Sequence, residues 1–116
     1  MTRPHYNLAA WKRAMTLVKN VYQATRTFPQ EEIYGLTAQM RRAAVSIPSN
    51  LAEGAARTGR REFAQFLSIA KGSLSELETQ LLISAELGYL DAKHSIFELV
   101  EEVSRLLAGL HKSLAK

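Results

Sequence analysis

Four stretches of this chain repeat apolar residues at spacings of three and four, and only short breaks separate them. That spacing marks one face of an α-helix. The first stretch follows Asn7, a suitable N-cap, and carries Leu8, Trp11, Met15, Val18, Tyr22 and Thr25 as a heptad-like seam. It ends near Thr27, before Phe28-Pro29, and Gln30 to Tyr34 reads as a connector with one short turn. The second runs from about Leu36 to Ala56 on Leu36, Met40, Ala43, Ala44, Ile47 and Leu51, with Thr37 as a candidate cap and Gly54 weakening its end. The third starts near Thr58 and carries Phe63, Leu67, Ala70, Leu74, Leu77, Leu81 and Ser84. Gly88 stops it as a C′ residue, and Gly72 within it reads as a place for close helix packing. In the fourth, Asp91 is the expected cap and Ile96, Val100, Val103, Leu107, Leu110 and Leu114 are the seam. No stretch alternates as a strand would. Short connections force sequential helices antiparallel. The expected fold is therefore all-α, an up-down-up-down four-helix bundle, formed as a single domain over residues 1–116 with helices crossing near about +20°.

Pro48 sits inside the second helical pattern, which resumes at Leu51. A proline there removes one backbone donor and crowds the carbonyl of Ala44, at a cost of roughly 3 kcal/mol. The expectation is a helix kinked near Pro48, with Ser46, Ser49 or Asn50 meeting the freed backbone groups.

Several apolar residues fall outside the seams: Val21, Val45, Phe66, Ile69, Leu82, Ile83, Phe97, Leu99 and Leu106. A monomeric bundle needs one apolar stripe per helix, so wide stripes point to a second buried surface and to self-association. Charge is also divided. Residues 1–61 hold ten Lys/Arg against Glu31, Glu32 and Glu53, a balance of +7. Residues 62–116 hold five against eight acids, a balance of −3. A basic half beside an acidic half suits head-to-tail assembly, or a basic face for nucleic acid.

The chemistry that the chain excludes is broad. It has no cysteine, hence no disulfide, thiolate site or cysteine nucleophile. His5, His94 and His111 have no ligand spacing, and no Glu-x-x-His exists for a bundle di-iron site. Phosphate-loop and dinucleotide glycine patterns are missing, as is a nucleophile elbow. No apolar run approaches the ~20 residues of a membrane span. The Met1–Tyr6 segment lacks a signal-peptide core, so the expected location is cytoplasmic. The chain reads as a non-enzyme without metal or cofactor. Ser46, Asn50, Glu53, Ser73 and Glu76 are expected to form a structural polar network between the second and third helices. The candidate nucleic-acid-binding residues are Lys12 and Arg13 on the first helix, Arg41 and Arg42 on the second, and Arg57, Arg60 and Arg61 at the following turn. Arginine offers a planar fork suited to phosphate. No aromatic is interleaved with the turn, so contacts there would be electrostatic and weakly sequence-specific. An alternative is a protein-interaction scaffold whose charges serve assembly only.

One block, Arg41-Arg42-Ala43-Ala44-Val45-Ser46-Ile47-Pro48-Ser49-Asn50 followed by Ala52-Glu53-Gly54, resembles the core of the 23S rRNA intervening-sequence protein family. Glu62-Phe63, Phe66-Leu67, Ala70, Gly72-Ser73 and Glu76-Leu77-Glu78-Thr79-Gln80-Leu81 fit the same family, as do Trp11, Tyr22, Phe28-Pro29 and Gly35-Leu36-Thr37. The resemblance implies a left-handed bundle assembling as a ring, typically a pentamer. It also implies a link to ribosomal RNA genes, or to accessory proteins of diversity-generating retroelements that contact a reverse transcriptase and nucleic acid. Arg41, Arg42, Arg57 and Arg61 carry over by position as nucleic-acid contacts. RNA, DNA and a protein partner all stay open.

Overall fold

The computed structural model describes residues 3–115, so Met1, Thr2 and Lys116 lie outside the described residues. Four helices form the bundle: α1 (Ala9–Thr25), α2 (Leu36–Ala55), α3 (Arg60–Glu86) and α4 (Ile96–Leu114). Short 3-10 turns occupy Pro4–Asn7 and Gln30–Glu32. Each helix packs on its sequence neighbour, and α4 packs back on α1 to close the bundle. The molecule extends 43 × 24 × 23 Å, with α3 close to its full length. Among the described residues there is no strand.

The seams of α2, α3 and α4 lie where periodicity put them. Met40, Ala43, Ala44, Ile47 and Leu51 are buried from α2. Leu67, Ala70, Leu74, Leu77 and Leu81 meet them from α3, and Ile96, Val100, Val103 and Leu107 from α4. Burying one such leucine contributes about 1.5–3 kcal/mol.

α1 departs from its expected register. Its core face is Ala10, Ala14, Leu17, Val21 and Thr25. The larger stripe of Trp11, Met15, Val18 and Tyr22 is turned about one residue away, roughly 100° around the helix. Met15 is 46% exposed and Tyr22 39%. Both stripes have helical spacing, and the larger side chains carried the stronger apolar signal. The bundle instead buries the smaller set, two of whose five side chains are alanines.

Helix ends also differ from expectation. Asn7 belongs to the first 3-10 turn, and Leu8 precedes α1 without any side-chain cap. Thr37 does not cap α2: its hydroxyl is buried without a partner. The Leu36 N–H instead donates to Glu32 Oε1 at 3.2 Å, while the Tyr89 hydroxyl donates to Glu32 Oε2 at 3.1 Å. One carboxylate thus ties the start of α2 to the α3–α4 connection. No side chain caps α3, which follows Gly59. Asp91 accepts the Lys93 N–H within the loop, and His94 Nδ1 accepts the Ile96 N–H at the start of α4. Gly88 behaves as expected, with φ of 80°. The Gly88 N–H reaches Ala85 O and the Tyr89 N–H reaches Ser84 O, which completes a Schellman stop.

α2 stays α-helical through Pro48, whose ring is buried. The Asn50 amide donates to Ser46 O at 2.8 Å, so it does not meet the carbonyl of Ala44. Near the end of α2, Gly54 is a contact point rather than a weak spot. A Cβ there would come within 2.8 Å of the Phe63 ring and 2.9 Å of Phe66 Cβ.

Gly54→Ala should therefore destabilise the protein. Overpacking costs about 1–3 kcal/mol, more than the roughly 1 kcal/mol alanine gains in helix propensity. Gly109→Ala, where a Cβ meets nothing within 4 Å, should stabilise. Urea midpoints of the two variants check both signs.

The hydrogen bond from Tyr89 to Glu32, burial and the nearby Glu32 and Glu31 charges raise the Tyr89 pKa above its ordinary 10.0. Folding holds this phenol neutral, so its contribution is complete below the ordinary value and is lost as pH rises through the raised one. The native protein should lose stability faster than Tyr89→Phe above that pH, in thermal melts followed by circular dichroism.

Candidate nucleic-acid interface

Bundle geometry sorts the seven candidate cations into different environments. Arg13 faces α4. Its Nε donates to Glu102 Oε2 at 2.9 Å and its Nη2 to Oε1 at 3.0 Å, a two-pronged pair across the α1–α4 seam. Arg41 turns back on α1. Its Nε donates to Thr25 Oγ1 at 2.9 Å, and its guanidinium lies 4.6 Å from the centre of the Tyr22 ring. Both are committed inside the bundle.

Arg42, one residue on, is exposed and makes no ion pair among the described residues. Lys12 is exposed on the outer side of α1. Arg57, Arg60 and Arg61 are all exposed around the turn between α2 and α3. Arg57 rests over the Phe66 ring, 4.9 Å from its centre, which fixes the direction of its guanidinium. Arg60 makes an interaction of its own within the chain. The backbone N–H of Phe63 is the first of α3 to find a partner, Gly59 O. No side chain caps the first turn of α3. A helix start carries about half a positive charge, so the turn favours anions twice over.

The polar network between α2 and α3 is smaller than expected. Ser46 and Ser73 hydroxyls meet at 2.8 Å, and the Asn50 amide donates to Ser46 Oγ at 3.0 Å. Glu53 is exposed and outside this set. Glu76 is exposed as well and accepts only a long bond, 3.4 Å, from Gln80 Nε2. The buried Gln80, with its Oε1 unpartnered, is a polar core residue that the sequence did not flag.

Sequence reasoning also missed a groove between α1 and α2. The misplaced stripe forms one wall through Trp11, Met15 and Val18, and Val45, Pro48 and Ala52 form the other. Its volume is about 430 Å³ and its lining is almost wholly apolar. The first 3-10 turn closes one end, with the His5 ring stacked edge-on to Trp11 at 4.9 Å.

The model of the 23S rRNA-intervening sequence protein family matches residues 6–109. The chain belongs to that family. The match spans all four helices, the groove and the basic turn, and stops inside α4. A search of curated proteins returns no match. Among the described residues of this family member, no group of three His, Asp or Glu is placed to hold a metal ion. No helix among them is long and apolar enough to cross a membrane.

The Arg13–Glu102 pair is 41% exposed on both sides. A double-mutant cycle with Arg13→Ala and Glu102→Ala should give a coupling of about 0.2–1 kcal/mol, fading at high salt. Stability measured at two ionic strengths checks it.

Proposed function

We propose that this protein is a non-enzymatic, homo-oligomeric bundle of the cytoplasm that binds nucleic acid, alone or within a ribonucleoprotein, through the turn between α2 and α3. The observation that carries the reading is the placement of Arg57, Arg60 and Arg61. Three exposed arginines surround an uncapped helix start, and Phe66 holds one of them in position. Lys12 extends this basic surface: α1 runs antiparallel to α2, so its start lies at the same end of the bundle. The family's name ties it to 23S ribosomal RNA genes, which supports RNA as the polyanion. Contacts of this kind recognise phosphate and carry little sequence information. Self-association gains support from the exposed apolar stripe on α1. The family resemblance favours a ring, a pentamer in particular.

A second reading is a protein-interaction scaffold whose charges serve assembly. Arg13 and Arg41 favour it, since both are committed to contacts within the bundle.

Changing Arg57, Arg60 and Arg61 together to Glu should abolish binding to RNA and DNA, with helicity and mass unchanged. Wild-type affinity should fall steeply with salt, since each neutralised phosphate releases counterion. Electrophoretic or anisotropy titrations at several salt concentrations measure both effects. Absence of wild-type binding at low salt would leave the scaffold reading in place.

A further inference from the structure

We infer that the cleft between α2 and α3 over Ser46 and Ser73 binds a small zwitterion of the free amino-acid class, with its carboxylate on Arg42 and its ammonium on Glu76. The site is separate from the basic turn and uses none of its arginines.

Helix spacing builds the cleft. Gln39, Arg42, Ala43 and Ser46 share one side of α2, and Ser73 and Glu76 lie three apart on the facing side of α3. Ala43 is buried and the two serines are half-buried, so these three form the floor. Gln39, Arg42 and Glu76 are exposed and form the rim. Only Ala43 of the six lining residues is apolar, in contrast to the α1–α2 groove. The volume is about 190 Å³, equal to about six water molecules at roughly 30 Å³ each. That space takes a free amino acid and is too small for a nucleotide.

The rim carries one cation and one anion that do not pair with each other. Arg42 makes no ion pair among the described residues, and Glu76 accepts only the long bond from Gln80 Nε2 at 3.4 Å. Opposite charges held on two helices, in one cleft, suit a ligand that bears both. A carboxylate fits the guanidinium with two parallel hydrogen bonds. An ammonium brings three donors to the Glu76 carboxylate and the serine oxygens. A phosphate is disfavoured, because Glu76 repels it. The sequence groups Arg42 with the cations of the turn, and the carboxylate across the cleft sets it apart from them.

The floor adds a donor. The Ser46 and Ser73 hydroxyls share one hydrogen bond of 2.8 Å, and the Asn50 amide donates to Ser46 Oγ at 3.0 Å. Two hydroxyls carry two hydrogens, and the bond between them uses one. The other has no acceptor among the described residues, which leaves it for the carboxylate of the ligand. Asn50 also donates to Ser46 O at 2.8 Å, so the floor is fixed before a ligand arrives.

The experiment titrates the isotope-labelled full chain with glycine, β-alanine and γ-aminobutyrate, zwitterions of increasing charge separation, and follows amide shifts by NMR. Acetate and ethylammonium, each with one of the two charges, are the controls at the same ionic strength. At least one zwitterion should shift the Ser46 and Ser73 amides saturably, with a millimolar Kd, as befits a few atoms in an open cleft. Both controls should bind more weakly. Arg42→Gln and Glu76→Gln should each weaken binding by roughly tenfold or more. Both positions are exposed, so the circular dichroism should match wild type. Three results overturn the inference. One is that no zwitterion shifts these amides at high millimolar concentration. Another is that acetate binds as tightly as every zwitterion, which marks a simple anion site. The third is binding that survives both glutamine variants, which places it elsewhere. None of the three touches the RNA titrations of the turn.

Discussion

Gly54 allows the end of α2 to come down on Phe63 and Phe66 of α3, and much of the molecule follows from that approach. The hydroxyl pair Ser46–Ser73, further along the same interface, holds the two helices in register. With α2 and α3 so close, the chain between them has room only for a tight turn. Arg57 folds over Phe66, beside the start of α3, which no side chain caps. The same contact sets the rotation of α2. Its buried face takes Met40, Ala43, Ala44, Ile47 and Leu51, which leaves Val45 and Ala52 to line the groove toward α1. The basic turn and the groove are thus consequences of one packing arrangement.

The bundle has a limited interior, and α1 shows what that limit does. Two apolar stripes compete on this helix, and only one can face inward. Alanine and leucine at 10, 14 and 17 fill the closely packed interior, and the larger side chains at 11 and 15 lie outside it. From the larger stripe, Trp11 and Val18 are half-buried against the edge of the core, while Met15 and Tyr22 are exposed. Glu32 illustrates a different economy. One carboxylate on a 3-10 turn accepts from the start of α2 and from Tyr89, and so joins two connections that no helix contact holds together.

Much of the fold was legible in the residues. Apolar spacing located four helices, and Gly88 marked the end of α3 because only a left-handed residue completes that stop. Caps were read poorly. Asn7, Thr37 and Asp91 are residue types that cap helices well, yet none of them does so here. Capping depends on where a side chain lies relative to the first turn, and Glu32 and His94 occupy those places instead. For the candidate site, the sequence named every cation but could not tell Arg13 and Arg41 from Arg42 and Arg61. That distinction depends on Glu102, Thr25 and Tyr22, which lie far away along the chain from some of these arginines and are brought close only by folding.

The sequence by itself determined that this protein is four helices joined by short connections, with basic charge gathered before residue 62 and acidic charge after it. Those properties are local: helix periodicity, breakers and charge are carried by neighbouring residues. Tertiary structure decided which stripe of α1 is buried, which glycine makes a helix contact and which arginines are drawn into contacts within the bundle. Each of these is a choice between locally equivalent options. It is settled by the volume and the hydrogen-bonding groups that another helix presents, and no window along one helix contains that information.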